Sequence, residues 1–309
     1  MPWAATTQRA DSDKPFVLNG FINIDKPAGV SSFDATRIAA RALGVKTAGH
    51  AGTLDRFATG VLPIAVGEAT KAIRYLHFAD KTYMATALVG VVTDTLDMTG
   101  KVNSRMDVDR PADEVLREAL ASFVGVYDQI PPVYSALKCG GMRLSDLARA
   151  GEAVEPKARP VKIFALSLVE CRWPQIVFEV RCGAGTYIRA LARDIGVRLG
   201  AFGASLSELR RTQYGPFKAD RSVSPDAAQP GMLLPVVNAL GGIQTAGVSA
   251  AGELYIRQGR TLSEAFFSSE QITASGGRIA LLDQAGRLVA VAAQTPDGWE
   301  YERVFDENR

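Results

Sequence analysis

The stretch AGHAGTLDRFATGVLP, residues 48–63, puts His50 and Asp55 in one glycine-rich loop that runs straight into the apolar segment VLPIAVG. Just upstream, SSFDATRIAARALG opens with Ser31 followed three residues later by Asp34, a capping-box pattern, and sets Ala35, Ile38, Ala39 and Ala42 at helical spacing before Gly44. The order is therefore helix, loop, buried strand, and the loop holds one of the chain's two histidines near a carboxylate. A lone Asp among glycines is ordinarily a turn former. Whether this one does chemistry depends on what the rest of the chain brings to it.

Downstream, EATKAIRYLHF reads as a short helix. KTYMATALVGVV reads as a strand, with Tyr83 near its start and Tyr83, Ala85, Ala87, Val89 and Val91 alternating onto one face. RPADEVLREALASFVG is an amphipathic helix with Pro111 near its first turn and Val115, Leu116, Ala119, Leu120 and Phe123 inward. The segment that follows, residues 131–159, is long and rich in Pro, Gly and basic residues, and reads as a binding excursion from the core. The strands VKIFALSLVEC and QIVFEVRC then lead into TYIRALARDIGVRLG, a helix with Ile188, Leu191, Ala192, Ile195 and Leu199 on its apolar face and Arg189 and Arg193 off it. PDAAQPGMLLP reads as a linker. Beyond it RIALLD, RLVAVAA and WEYERVF form a meander, which sets a domain boundary near Gly247.

With 309 residues and 47% hydrophobic content, the chain is long enough for one large domain and a small one, and too apolar to be disordered. No run approaches the ~20 apolar residues of a membrane span, and the N-terminus has neither a basic nor an apolar signal region. Three cysteines without CxxC spacing suit a reducing cytosol. The net charge of +2 hides an asymmetry: 29 basic face 24 acidic residues before Gly247, and six face nine from there on. A local basic excess at residues 138–162 suits a polyanion as well as a solvated face. Two histidines without HxH or HExxH spacing leave a catalytic zinc unexpected, and GxSxG, GxxxxGK[ST] and strand-borne GxGxxG are all missing. DTLDMTG lacks the DxDxT spacing of aspartyl-phosphate enzymes. A carboxylate working without metal or partner histidine remains.

Taken in order, GFINIDKPAGVSSFD, GHAGTLDRFATGVLPIAVGEATK, KTYMATALVGVVTDTLDMTG, IPPVYSALKCGGMRLSDLARAGE, GTYIRALARDIGVRLG and LRRTQYGPF resemble the TruB family of bacterial tRNA pseudouridine-55 synthases, from about Gly20 to Phe217. The tail resembles the PUA-like domain these enzymes carry. The resemblance implies an α/β (α+β) catalytic domain at 20–235 on a mixed, mainly antiparallel sheet, with an RNA-binding insertion at 131–159. A small β-rich PUA-like domain at 247–309 would follow it, and a flexible extension at 1–19 would precede it.

It further implies an isomerase, an intramolecular transferase converting uridine 55 of the tRNA T loop to pseudouridine without cofactor or metal. Asp55 would be the nucleophile and Arg189 its ion-pair partner. Tyr83 would lie on the flipped base and help remove its C5 proton, and His50, Tyr187 and Leu209 would contact substrate. The glycines 49, 52 and 60 would leave room for the nucleotide. The partner is the T stem-loop of tRNA, with a cytoplasmic monomer expected and no membrane. Where the family usually follows its Asp with Pro and an aliphatic residue, this chain has Arg56 and Phe57, so Asp55 would be less rigidly preset, and Arg56 would meet a phosphate or compete for Asp55. Two rivals stand beside this reading: a non-catalytic RNA-binding or RNA-folding protein, for which Arg56 is the only support, and a pseudouridine synthase with another RNA target.

Overall fold

The computed structural model describes residues 18–135, 137–139, 141–150, 156–262 and 277–306. The expectations for residues 1–17 and for parts of 131–159 and 247–309 lie outside the described residues.

β1 (Gly20–Lys26) leads into α1 (Ser32–Ala42), whose N-cap Ser31 accepts from the Asp34 amide at 3.1 Å. The buried side of α1 is Ser32, Ala35, Thr36, Ala39 and, at its end, Leu43, whereas Ile38 is exposed. The expected stripe is thus rotated, because Ser32 and Thr36 find hydrogen-bond partners in the 50–55 loop and so turn inward. β2 (Ala48–His50) and β3 (Thr59–Val66) flank that loop. EATKAIRYLHF is mostly a 3-10 turn, Gly67–Ala72, ending in a single α-helical turn, α2 (Ile73–Leu76).

β4 (Lys81–Val89) buries Tyr83, Ala85, Ala87 and Val89. It stops before Val91 because Gly90, at φ +82°, sits where a Cβ would come within 2.1 Å of the Met106 carbonyl oxygen. Val91 therefore belongs to a separate hairpin of β5 (Val91–Thr93) and β6 (Val102–Arg105). In α3 (Asp113–Ala121) Leu116, Ala119 and Leu120 are buried, but Val115 points to solvent, 48% exposed. β7 (Gly125–Gln129) is followed by the small hairpin β8 (Lys138–Cys139) and β9 (Met142–Arg143) and by α4 (Leu144–Arg149). β10 (Arg159–Arg172), β11 (Gln175–Cys182), α5 (Ile188–Arg198), β12 (Ala204–Tyr214) and β13 (Phe217–Lys218) complete the larger part.

The main sheet runs β1-β3-β12-β4-β11-β10-β7, with β2 on β3 and β13 on β12. Only β12 and β3 pair in parallel, through Arg210 with Thr59 and Arg211 with Gly60. The sheet is thus mixed and mainly antiparallel. α5 packs Leu191, Ala192 and Ile195 against Phe178, Ala85 and Leu206 of the sheet, and α1 packs Ala35 and Ala39 against Ile22, Ile24 and Leu62.

PDAAQPGMLLP is not a free linker. Leu234 exchanges backbone hydrogen bonds of 2.7 and 2.8 Å with Phe21, so the segment lies along β1. After α6 (Val236–Ala239) comes a second sheet of β14 (Gln244–Gly247), β15 (Arg278–Leu282), β16 (Leu288–Thr295) and β17 (Gly298–Val304), with α7 (Ala250–Arg257) between β14 and β15. The meander is present, joined by a parallel strand that starts at Gln244. Ala280, Leu288, Val291 and Phe305 of this part share one buried cluster with Phe21, Val61, Tyr214 and Phe217. No helix among the described residues is long and apolar enough to cross a membrane.

Candidate active site

Asp55 sits in the loop between β2 and β3, and Arg189 in the first turn of α5. Arg189 Nε lies 2.8 Å from Asp55 Oδ2, and its Nη2 donates to Oδ1 at 3.1 Å, a two-point grip. The Arg189 side chain is 6% accessible and the Asp55 side chain 39%, so the pair has a buried cation and a carboxylate open on one side. The guanidinium is fixed elsewhere as well: Nη1 donates to the Thr95 carbonyl at 2.6 Å and lies 3.6 Å from Asp97 Oδ2, and Nη2 donates to the Tyr134 carbonyl at 3.0 Å. Arg189 lies off the apolar stripe of its helix, yet is buried because two carboxylates and two carbonyls surround it.

Burial pushes the Asp55 carboxyl above its ordinary value, with Asp97 adding to the rise, while Arg189 and Lys26 pull against it. The two cations therefore oppose the protonation that burial and Asp97 favour.

The loop is held from behind. Leu54, immediately before Asp55, donates its amide to Ser32 Oγ at 2.9 Å, and the same hydroxyl donates to the Leu54 carbonyl at 3.1 Å. After Asp55, the Arg56 carbonyl accepts from the Gly29 amide at 2.8 Å and from Lys26 Nζ at 3.4 Å. Lys26 is fully buried and also donates to the carbonyls of Val30 and Pro27, at 2.7 and 2.8 Å. Its pKa is lowered to about 8, first by desolvation, with Asp55 opposing and Arg211 and Arg56 adding to the fall. The DKPAGVSS turn thus clamps both flanks of Asp55, and the lack of proline at position 56 does not leave the loop without restraint. Phe57 takes the place of the usual aliphatic residue by packing against the main core. Arg56 does not compete for the carboxylate, which Arg189 holds.

His50 and Asp55 are not partners. His50 Nδ1 lies 3.0 Å from the Thr36 hydroxyl and Nε2 3.4 Å from that of Thr53, and burial lowers the imidazole's pKa. Tyr83 on β4 is buried opposite Arg211 of β12, and desolvation raises its hydroxyl's pKa, with Arg211 opposing and Asp55 adding to the rise. Tyr187 is the residue before α5; its amide donates to Gln129 Oε1 at 2.8 Å, and burial raises its phenol as well. Leu209 lies opposite Ala85 in the core cluster that contains Leu54 and Tyr83.

Two of the three glycines also answer a need of the fold itself. Gly60, at φ +102°, would place a Cβ 2.2 Å from the Arg211 carbonyl oxygen, and Gly52, at φ +62°, would place one 2.7 Å from the Tyr214 ring. They let β3 and the loop approach β12, and so make room for protein.

A model of the TruB family pseudouridylate synthase N-terminal domain matches residues 40–188. Burkholderia pseudomallei tRNA pseudouridine synthase B is 44% identical over 283 residues, spanning 89% of this chain and 93% of that one. The enzyme of the same name from Geobacter sulfurreducens is 44% identical over 250 residues, 78% of this chain and 82% of that one. The chain belongs to the TruB family of pseudouridylate synthases. A solved Cbf5-Nop10-Gar1 complex superposes with a TM-score of 0.72 at 24% identity, covering 97% of this chain and 92% of that chain. An H/ACA RNP bound to a substrate RNA containing 2'-deoxyuridine superposes with 0.73 at 23%, covering 97% and 92%. At that identity the likeness speaks for the fold.

Sequence reading missed Lys26, Ser32, Asp97 and Arg211. Arg211 is buried, donates to the carbonyls of Val61 and Gly52 at 2.7 and 2.8 Å, and faces the Tyr214 ring at 4.9 Å. Asp97 lies in DTLDMTG, set aside above as a failed phosphatase motif. Its loop is docked on β12 by Met98 and Leu206 at 2.8 Å, with Leu96 held at φ +61°, a conformation uncommon for leucine. Among the described residues no cluster of ligating side chains suits a metal.

Proposed function

We propose that this chain isomerises uridine 55 in the T loop of tRNA to pseudouridine, with Asp55 as the nucleophile. The observation that carries the reading is the two-point Asp55–Arg189 pair, with the carboxylate accessible and the guanidinium buried. It joins membership of the family to the naming of 44%-identical relatives as tRNA pseudouridine synthase B. In the rearrangement the N1–C1′ bond of the nucleotide breaks, a C5–C1′ bond forms, C5 loses a proton and N1 takes one up, so the product is an isomer and no oxidant, cofactor or metal enters the balance. Asp55 attacks or shields the electron-poor centre, and Arg189 keeps it ionised.

The uridine leaves its stack to reach the carboxylate. Tyr83 lies against it and assists C5 deprotonation, while His50, Tyr187 and Leu209 contact the nucleotide. Residues 20–235 carry the chemistry. Residues 131–159 and the PUA-like part at 247–309 hold RNA in a cytoplasmic, monomeric enzyme. The root of the insertion is tied to α5 through the carbonyls of Ile130 and Tyr134, which accept from Arg193 at 2.9 Å and from Arg189 at 3.0 Å.

The test incubates purified protein with unmodified tRNA transcript and maps pseudouridine by chemical labelling and primer extension. A T-loop stop is expected. Asp55→Asn should abolish it while leaving tRNA affinity within about tenfold, because charge changes and shape does not. Wild-type turnover in that variant refutes the nucleophile, and binding without a stop favours an RNA-binding protein.

A further inference from the structure

Arg56 belongs to the Asp55 loop, but the fold makes no use of its charge. Its peptide is anchored through the carbonyl to Gly29 and Lys26, while its side chain is exposed and has no ion pair among the described residues. The charge even carries a cost, since it adds to the positive potential that lowers the pKa of buried Lys26. Arg37 on α1 is likewise exposed and without an ion pair among the described residues. Its guanidinium carbon lies 5.9 Å from the ring centre of Phe33, which is 64% exposed.

Phe33 and Arg37 sit on α1, the helix whose Ser32 and Thr36 reach the Asp55 loop and His50. Phe33 directly follows Ser32, whose hydroxyl clamps Leu54, and Arg37 directly follows Thr36, whose hydroxyl meets His50. One residue is about 100° around a helix, so Phe33 stands beside the loop-facing side, while Arg37 lies nearly opposite the buried Ala35 and Ala39 and reaches over the Phe33 ring from the solvent face. An exposed ring and two cations without ion pairs, carried on the helix and loop that frame an accessible carboxylate, are the groups that hold a nucleic-acid backbone and an unpaired base.

We propose that Arg56, Arg37 and Phe33 form an RNA contact on the α1 side of the site, with each arginine taking a backbone phosphate and Phe33 stacking on an unpaired base. The inference rests on the reading of the chain as an enzyme acting on RNA.

The full chain is titrated with unmodified tRNA transcript between about 50 and 200 mM salt, and each variant is followed by single turnover at saturating RNA. Arg56→Gln and Arg37→Gln should each flatten the slope of log affinity against log salt by about 0.7–0.9. Phe33→Ala should weaken binding about fivefold or more with the slope unchanged, and Phe33→Trp should restore it. All four should keep the single-turnover rate constant within about twofold. Wild-type affinity and slope in both arginine variants overturn the proposal. So does a fall in single-turnover rate with affinity intact, which would make Arg56 a loop-positioning residue. A wild-type chain that forms no pseudouridine overturns the parent reading alone, since the binding slopes still report the contact.

Discussion

Replacing Arg189 by Gln removes the positive charge gripping Asp55 at 2.8 and 3.1 Å. Two unit charges about 4 Å apart attract by about 1 kcal/mol in water and about 4 kcal/mol at an effective dielectric of about 20. Since 39% of the Asp55 side chain is accessible, the lower half of that range applies, about 1–2 pH units at 1.36 kcal/mol each. Burial already raises the Asp55 carboxyl, and loss of its main opposing cation raises it further. On the proposed nucleophile role the ionised form reacts, so the rate climbs as pH rises through this pKa, and the acid limb of the single-turnover profile should move to higher pH by that amount. Stability has the opposite sense: a raised carboxylate stabilises the fold below its unfolded pKa and loses that contribution as pH rises through the folded one. The variant also leaves Asp97 buried without its cation and removes donors from the Thr95 and Tyr134 carbonyls, at a cost of about 3–5 kcal/mol. Arg189→Lys is the companion: it keeps the charge and loses the two-point geometry, so its plateau should fall while its acid limb stays within about one unit of wild type. The assay is release of tritium from C5 of uridine across pH. An unmoved acid limb in a folded Arg189→Gln variant would refute the electrostatic role.

Three further changes test how the loop is supported. Ser32→Ala strips the Leu54 amide and carbonyl of their shared partner and should cost about 1–3 kcal/mol by urea denaturation, with single-turnover rate falling more than tRNA affinity; an unchanged midpoint sinks the clamp. Lys26, with its pKa lowered to about 8, sheds its proton in the folded chain before the unfolded one, so stability should rise with pH from about 8 towards 10 by up to about 1.4 kcal/mol per unit. Lys26→Met should flatten that slope, and equal slopes in the two proteins would refute the assignment. Gly60→Ala drives a Cβ to 2.2 Å from a backbone carbonyl in the parallel β3–β12 pair and should cost roughly 3 kcal/mol or more, read as a shifted urea midpoint.

Much of the main sheet could be read from period and punctuation. Alternation located β4, and the capping box placed the start of α1, because both signals come from local backbone geometry. The errors arose where tertiary partners changed the meaning of a residue. Ser32 and Thr36 look like solvent-facing helix residues until the loop supplies their hydrogen bonds. Val115 looks like stripe material, yet α3 buries only Leu116, Ala119 and Leu120. The PDAAQPGMLLP segment has linker composition but pairs with β1, which no composition signal encodes.

The candidate site shows why a buried charge is hard to find in a sequence. Lys26, Asp97, Arg189 and Arg211 are written with the same letters as surface charges, and for Arg189 the helical period points away from the apolar stripe as well. They are buried because Arg189 pairs with Asp97 and because the cations donate to the carbonyls of Val30, Thr95, Val61 and Gly52, partners up to 150 residues or more away. Only the ordered motifs, taken together, mark Asp55 and Arg189 as a pair; neither residue does so alone. The scaffold around Asp55 then explains how the chain can carry Arg in place of Pro after it. The restraint a proline would supply through its own ring comes here from Ser32 on one side and from Gly29 and Lys26 on the other. Position 56 therefore does not have to stiffen the loop, and its side chain is available for another purpose.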